Sequence, residues 1–259
     1  MKFCLVDRKI QEAQPGLSGE CRDCGAAMIA KCGEHRVWHW AHLKTTTCDP
    51  WWEPETEWHR AWKNRFPEHW QEISHTSSTG EKHRADVKTE KECVIEFQHS
   101  ALSQVERGSR ENFYPNLVWV VDGRRRVRDA AKFSSSLRGP LPGYLLPTYS
   151  MNRNDGALLR DWGACRVPVY FDFADRERCD AAQLDQNPLW LLHPIDGDST
   201  AYISPVARSE FIKARVEGVD FEEEFKQVIQ RDIVRMHSAR VHPLAAFERR
   251  PALRRTRRF

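Results

Sequence analysis

The sequence lacks long hydrophobic runs. No apolar stretch approaches the ~20 residues that a membrane-spanning helix needs, so we expect a protein that does not enter a membrane. The apolar start of the chain, Met1 to Val6, is interrupted at Asp7, which is too early for a secretory signal peptide. The absence of both signals predicts a cytoplasmic protein.

Cysteine is present without any sign of secretion. Four of the eight cysteines lie between residues 21 and 48. Because cytoplasmic thiols stay reduced, this clustering favours metal binding over disulfides. Cys21 and Cys24, followed by Gly25, have the spacing of a zinc knuckle, in which the glycine permits the tight turn around the ion.

A tetrahedral zinc site needs a second pair of ligands. His39 and His42 supply one, while Cys32 and Cys48 are spare candidates. Four protein ligands leave no position for water, so such a site is structural rather than catalytic and argues against a zinc-dependent enzyme. The alternative is that free thiols and surface histidines merely share this spacing. The predicted zinc ligands are Cys21, Cys24, His39 and His42.

Acidic residues occur in two strand-like segments, residues 84–88 and 93–98. Side chains alternate between the faces of a strand, so Glu96 and Gln98 share a face. If the segments pair with Asp86 opposite Glu96, the two Cβ atoms lie about 5 Å apart. Carboxylates this close repel unless a cation lies between them, and oxygen ligands suit Mg²⁺ or Mn²⁺. The alternative is a half-exposed hairpin with a polar face.

Helices and strands are predicted around this hairpin. Apolar residues at four-residue intervals predict a preceding helix that begins near Pro54, with its stripe at Trp58, Trp62 and Phe66. A capping box predicts a second helix from Ser103. The apolar run 117–121 is typical of a strand covered on both faces, and a further strand is predicted at residues 72–75.

These segments resemble the competence protein CoiA-like family, which belongs to the restriction-endonuclease-like, or PD-(D/E)xK, nuclease superfamily. The resemblance covers roughly residues 1–130 and is carried by the N-terminal Cys and His pairs, residues 55–59, 84–87 and 95–100, and Glu106, Arg107 and Tyr114.

The resemblance implies a role for each residue of the site. Asp86 and Glu96, with the carbonyl of Phe97, correspond to the ligands of a catalytic Mg²⁺ or Mn²⁺. Gln98 stands in place of the signature lysine and would position the attacking water, although it cannot supply the positive charge. Glu57 corresponds to the acidic residue of the preceding helix; its alternative role is a first-turn glutamate favoured by the helix dipole.

The resemblance also implies an α/β fold: a restriction-endonuclease-like αβββαβ core with a mixed sheet. The expected domains are a zinc-ribbon-like module at 1–50, the nuclease core at 51–133, a C-terminal α+β extension at 134–239 and a basic tail at 240–259. The extension either adds strands to the core sheet or forms a small accessory domain. Its acids, among them Asp172, have no ligand spacing and are expected to be solvated.

The function implied is hydrolysis of phosphodiester bonds by a metal-dependent DNA nuclease, expected to be an endonuclease that processes incoming or foreign DNA. Single- and double-stranded DNA are both candidate substrates, and recombination or defence proteins are candidate partners. The rival hypothesis is a DNA-binding competence or recombination accessory protein that uses a nuclease-like fold with little hydrolysis.

Positive charge is distributed unevenly. The chain has a formal net charge of +3, but six arginines lie in the last eleven residues, which leaves 34 basic against 37 acidic residues elsewhere. A second cluster is formed by the arginines at positions 124, 125, 126 and 128. The residues predicted to contact DNA phosphates are Arg107 and Arg110 on one helix face and Arg254 and Arg255 in the tail. A solvated helix face and a solubilising tail are the alternatives.

Overall fold

The computed structural model of the chain describes residues 1–44, 48–51, 53–175, 186–195 and 199–241. These residues form two β-sheets and six α-helices. None of the described helices is both long and apolar enough to cross a membrane.

The N-terminal sheet is small and antiparallel. Its strands are β1 (Phe3–Val6), β2 (Lys9–Glu12), β3 (Ser18–Glu20), β4 (Ala27–Lys31) and β5 (His39–His42), in the spatial order β2-β1-β3-β4-β5. Its core contains six buried residues, of which Met28 and Trp40 are the largest. A core of this size stabilises little by itself, so the sheet depends on other contacts.

The larger sheet has eight strands. These are β6 (Gln71–Thr76), β7 (Lys82–Lys88), β8 (Val94–Gln98), β9 (Leu117–Asp122), β10 (Tyr149–Asn152), β11 (Val169–Asp172), β12 (Leu189–Leu192) and β13 (Thr200–Val206). Their order is β10-β13-β12-β11-β9-β8-β7-β6. β9 is parallel to both β8 and β11, whereas the other pairs are antiparallel, so the sheet is mixed. The strands after residue 134 extend the sheet that contains β6 to β9.

Helices cover both faces of this sheet. They are α1 (Glu57–Lys63), α2 (Gln104–Phe113), α3 (Asp129–Ser136), α4 (Gly156–Trp162), α5 (Arg208–Glu217) and α6 (Glu222–Val241). One core includes residues of α3 and α4, and the other includes residues of α1 and α5. β9 contributes to both: Trp119 faces the first core and Val120 the second. This explains its continuous apolar sequence.

Helix α1 begins later than the tryptophan spacing predicts. Thr56 has extended backbone geometry, and its hydroxyl accepts a hydrogen bond from the backbone N–H of His59 at 3.3 Å. This cap starts the helix at Glu57 rather than near Pro54. Phe66 follows the helix but still packs with Trp62 in the second core.

Asp172 is buried, which corrects the expectation of a solvated acid. It ends β11 beneath helix α1, and its Oδ2 accepts hydrogen bonds from the indole N–H groups of Trp58 at 3.1 Å and Trp62 at 2.9 Å. Arg208 of α5 donates to Oδ1 at 2.6 Å and to Oδ2 at 3.2 Å. Burial raises the pKa of Asp172, but the Arg208 guanidinium outweighs it, and the net pKa lies below the usual range. One carboxylate thus fixes α1 and α5 to the sheet.

We expect Asp172→Asn to lower the free energy of unfolding by about 3–5 kcal/mol, because it removes the carboxylate that pairs with the buried Arg208 guanidinium. Denaturant unfolding measures this. The control is Asp172→Asn combined with Arg208→Met, which removes both charges and should lose less stability than Asp172→Asn. A single substitution that changes stability by under about 1 kcal/mol would contradict the assignment.

Candidate metal and catalytic sites

Four possible metal ligands meet beside the N-terminal sheet. The ligand atoms of Cys21, Cys24, His42 and Cys48 all lie within 4.8 Å of one another. Cys21 Sγ is 3.8 Å from Cys48 Sγ, and Cys24 Sγ is 3.4 Å from His42 Nε2. A tetrahedral zinc ion with Zn–S bonds of about 2.3 Å holds two sulfurs about 3.8 Å apart, so the residues fit a structural zinc ion.

The turn and the thiol electrostatics agree with this fit. Gly25 has φ +70°, and its N–H donates to the Cys21 carbonyl at 3.0 Å, as the knuckle spacing predicts. Burial raises the pKa of Cys21, but the backbone of Cys24 and the side chain of His42 outweigh it and lower the pKa to about 7. Thiolate is the form that binds zinc.

Cys48 occupies the cluster position that sequence spacing assigns to His39. His39 and His42 are three residues apart on β5, so alternation places their side chains on opposite faces of the strand. His39 Nδ1 instead lies 2.8 Å from the Val37 carbonyl. Cys32, the other spare candidate, is not among the four clustered residues. A helix would bring residues at this spacing together, but a strand does not.

Two aspartates connect the Cys/His cluster to the larger sheet. Asp23, inside the knuckle, accepts hydrogen bonds from Arg84 on β7 and Ser74 on β6. Asp49 follows Cys48; its Oδ2 accepts from the backbone N–H of Arg84 at 2.9 Å, and its Oδ1 lies 2.9 Å from His83 Nδ1. The loops that hold the cluster are therefore attached to the strand that carries Asp86.

Asp86 and Glu96 lie side by side on β7 and β8. The ladder pairs Val87 with Ile95, so the same register sets Asp86 opposite Glu96, as predicted. Asp86 Oδ2 accepts from the Phe97 N–H at 3.0 Å, and Glu96 Oε1 accepts from the Asp86 N–H at 3.4 Å. The two carboxylates thus share one backbone network.

Burial makes the ionised forms of both acids unfavourable. Burial raises the pKa of Asp86, and burial followed by the Asp86 charge raises the pKa of Glu96 to about 8. Glu96 is 5% exposed, whereas the Asp86 side chain remains 24% exposed. A cation reaching the pair from this open side would relieve the repulsion, which is the arrangement that a divalent-ion site requires.

Lys63 places a positive charge beside Asp86. It ends helix α1, is 3% exposed, and its Nζ lies 3.7 Å from Asp86 Oδ1. It also pairs with Glu55 at 2.7 Å and Glu72 at 3.0 Å. Burial lowers the pKa of Lys63, but these carboxylates, Glu72 foremost, outweigh it and keep the ammonium charged. Its position directly after Trp62 gave no sequence signal, because a lysine beside an apolar stripe is usually solvated.

Glu72 is a further acid that the sequence did not reveal. Its φ of +51° is unusual for a non-glycine residue and interrupts the regular pairing of β6 with β7 between Gln71 and Ile73. Its carboxylate accepts from the backbone N–H groups of Lys2 at 2.7 Å and Phe3 at 3.1 Å. Glu72 therefore connects β1 to the region beside Asp86 and also pairs with the Lys63 ammonium.

Glu57 does not lie with the other acids. It is exposed at the start of α1, where Trp58 and Trp62 take the inward positions, and it does not line the cleft beside Asp86. Glu53 and Glu55, from the segment before the helix, line that cleft instead. The family-based assignment of Glu57 thus has no geometric support, since the acids that reach the site precede the helix.

Gln98 shares the face of Glu96 but is held by neighbouring side chains. It is 1% exposed, and its Nε2 donates to Glu53 Oε2 at 3.0 Å and to the Ser100 carbonyl at 3.2 Å. No donor from the described residues reaches its buried Oε1. Gln98 is not among the residues that line the cleft beside Asp86, so its orienting role stays a prediction, and its amide holds Glu53.

The arginines predicted to contact DNA on α2 are buried. Arg107 is 7% exposed and Arg110 is 5% exposed. Arg107 binds the Asp161 carbonyl, and Arg110 donates to Glu96 Oε2 at 3.2 Å and to Glu106 at 2.6 Å. Both side chains face the protein interior because the face of α2 that carries them packs on the sheet. Arg110 is therefore a partner of Glu96 rather than an exposed phosphate ligand.

Arg254 and Arg255, the other two predicted contacts, lie outside the described residues.

The acids and Lys63 surround one small cleft. It has a volume of about 70 Å³ and is lined by residues that include Glu53, Glu55, Lys63, Glu72, Asp86 and Glu96. A single water needs about 10–15 Å³ of such volume, so the cleft can hold an ion with several waters.

Comparisons of the chain with protein families, with curated proteins and with solved structures found no match.

Proposed function

We propose that the protein is a Mg²⁺- or Mn²⁺-dependent DNA nuclease of the restriction-endonuclease-like type. The observation that carries the proposal is the pairing of the half-buried Asp86 with the buried Glu96, with the charged Lys63 beside Asp86. The two carboxylates can hold the divalent ion that metal-assisted phosphodiester hydrolysis uses, and the ammonium adds a positive charge at the same cleft. The order α1, β6 to β8, α2 and β9 supports the proposal, because it is the αβββαβ order expected of that core.

Each residue has a distinct task. Asp86 and Glu96, with the Phe97 carbonyl, would hold the ion, which supplies Lewis-acid polarisation of the phosphate and lowers the pKa of a water. Lys63 places a positive charge beside Asp86, where negative charge develops on the phosphate oxygens. Hydrolysis adds the hydroxide of water to phosphorus, breaks the bond to the leaving sugar oxygen and returns a proton to that oxygen.

The Cys/His cluster has a structural role in this proposal. Its four protein ligands leave no open position, and Asp23 and Asp49 attach it to β7. We infer that it fixes the strand that carries Asp86.

The test is cleavage of linear single-stranded, linear double-stranded and supercoiled DNA with Mg²⁺, with Mn²⁺ and with chelator. We expect cleavage only with a divalent ion. Asp86→Asn, purified in parallel, controls for contaminating nucleases. Cleavage that persists in chelator, or equally in the variant, would overturn the proposal. DNA binding without cleavage under every condition would support the accessory-protein hypothesis instead.

A further inference from the structure

The burial of Arg107 and Arg110 leaves open which described residues contact a DNA backbone. The arginine loop, defined as residues 123–128 between β9 and α3, carries four arginines. The side chains of Arg124 and Arg126 are 45% and 40% exposed, and Arg128 is exposed as well. The loop therefore presents three positive charges to solvent.

The tip of the arginine loop carries an exposed apolar side chain. Val127 is 99% exposed, the highest value among the large hydrophobic residues described as exposed. It lies between Arg126 and Arg128 in the sequence. A single exposed aliphatic side chain is common on protein surfaces, so Val127 matters here only through its place between two arginines, where a strand held by those arginines would cover it.

The arginine loop is held in a fixed position. Asp122 Oδ1 accepts from the Arg124 N–H at 2.8 Å, and the Gly123 N–H donates to the Asp172 carbonyl at 2.9 Å. A Cβ at Gly123 would lie 2.3 Å from the Phe173 ring, so the loop backbone packs directly on that ring. Arg125 is 4% exposed and serves as an internal anchor rather than a surface charge.

The same anchor places the loop beside the cleft. Arg125 NH1 donates to the Ser100 carbonyl at 2.9 Å. Ser100 Oγ binds Glu53, which lines the cleft, and Gln98 Nε2 binds both Glu53 and the Ser100 carbonyl. Two hydrogen bonds, from Arg125 to Ser100 and from Ser100 to Glu53, thus connect the arginine loop to an acid that lines the cleft.

The acidic neighbours of the loop do not exclude phosphate. Arg124 pairs with Asp175 at 2.8 Å, and Arg126 pairs with Asp161 at 3.0 Å. Both arginines are partly exposed, and pairs of this kind are worth about 0–1 kcal/mol. A nucleic acid strand offers a phosphate at each nucleotide and can replace such weak partners while releasing its own counterions.

We propose that the arginine loop binds the sugar-phosphate backbone of a nucleic acid strand beside the cleft, with Val127 packed against the sugars and bases between the contacted phosphates. The proposal deepens the nuclease proposal and rests on it for the identity of the strand. Arg124, Arg126 and Arg128 contact phosphates, and Arg125 keeps the loop in place.

The test is equilibrium binding of duplex DNA across a salt series without Mg²⁺ or Mn²⁺, where cleavage cannot interfere. Replacing Arg124, Arg126 and Arg128 by alanine should weaken binding about tenfold at 0.1 M salt and reduce the slope of log K against log salt by about 2 to 3. The control replaces three exposed basic residues elsewhere, Arg160, Lys213 and Arg231, by alanine, and should change the slope little.

Val127→Ser separates the apolar contact from the charges. It should weaken binding at every salt concentration while the slope stays at the wild-type value. An arginine triple variant with the wild-type slope, or wild-type protein that binds no DNA, would overturn the loop proposal. Loop-dependent binding without hydrolysis in Mg²⁺ or Mn²⁺ would uphold the loop and overturn only the nuclease activity.

Discussion

Asp86→Asn is expected to abolish DNA cleavage, by about a thousandfold or more, while leaving the protein at least as stable as the wild type when no Mg²⁺ or Mn²⁺ is added. The pKa of Asp86 is raised in the folded protein by burial, so its ionised form is penalised at every pH above its unfolded pKa. Asparagine removes this penalty and keeps an oxygen to accept the Phe97 N–H. Residues that hold a catalytic ion often reduce stability in this way.

Divalent ions should make the wild type more stable than Asp86→Asn. An ion that binds only the folded state at a hundred times its Kd adds about 2.7 kcal/mol, which raises the Tm of a protein of this size by several degrees. We expect Mn²⁺ to raise the Tm of the wild type and to leave that of Asp86→Asn almost unchanged. Differential scanning fluorimetry with and without Mn²⁺ measures both effects.

Glu57→Gln is the matched control for this experiment. It also exchanges a carboxylate for an amide, but at an exposed position outside the cleft. We expect wild-type cleavage and the wild-type response to Mn²⁺. Loss of cleavage in Glu57→Gln, with activity retained in Asp86→Asn, would mean that the catalytic acid has been assigned to the wrong residue.

His42→Gln and Cys48→Ser are expected to lose bound zinc and the folded N-terminal sheet. Structural zinc contributes about 10–16 kcal/mol in small zinc-binding peptides, which exceeds what the six-residue core of this sheet can supply. Zinc content by elemental analysis should fall from one ion per chain to near zero. Limited proteolysis should then cut before residue 50.

The chain offers two matched controls for the zinc prediction. His39→Gln and Cys32→Ser change the same residue types outside the cluster, and both should retain zinc. The pairs His42 with His39 and Cys48 with Cys32 therefore test the ligand set one residue at a time. Zinc loss in His39→Gln together with retention in Cys48→Ser would favour the Cys₂His₂ set that the sequence predicts.

Features set by local periodicity were predictable from the sequence. Alternation in residues 84–98 and the short polar link fixed which side chains share a face, so the opposition of Asp86 and Glu96 followed. The buried strand β9 followed from its continuous apolar run, whereas the mixed sheet was expected from the family resemblance. The zinc knuckle at Cys21 and Cys24 was likewise local.

Contacts between distant segments were not predictable. Lys63 reaches the acids only because Asp172, more than a hundred residues later, binds the α1 tryptophans and fixes the orientation of the helix. Glu72 lines the cleft from a left-handed backbone conformation, which no sequence pattern predicts. Cys48 takes the place predicted for His39 in the Cys/His cluster, because alternation along the strand β5 turns His39 away from His42. In each case the tertiary position, rather than the residue type, decides the role.

The continuity of the eight-stranded sheet also governs how the chain tolerates truncation. β9 lies in the middle of the sheet with β8 on one side and β11 on the other. A chain ending after residue 133 would leave the apolar strand Leu117–Asp122 as an uncovered edge with unpaired backbone groups. Such edges recruit strands from other chains, so residues 1–133 alone should aggregate, whereas the full sheet protects this strand.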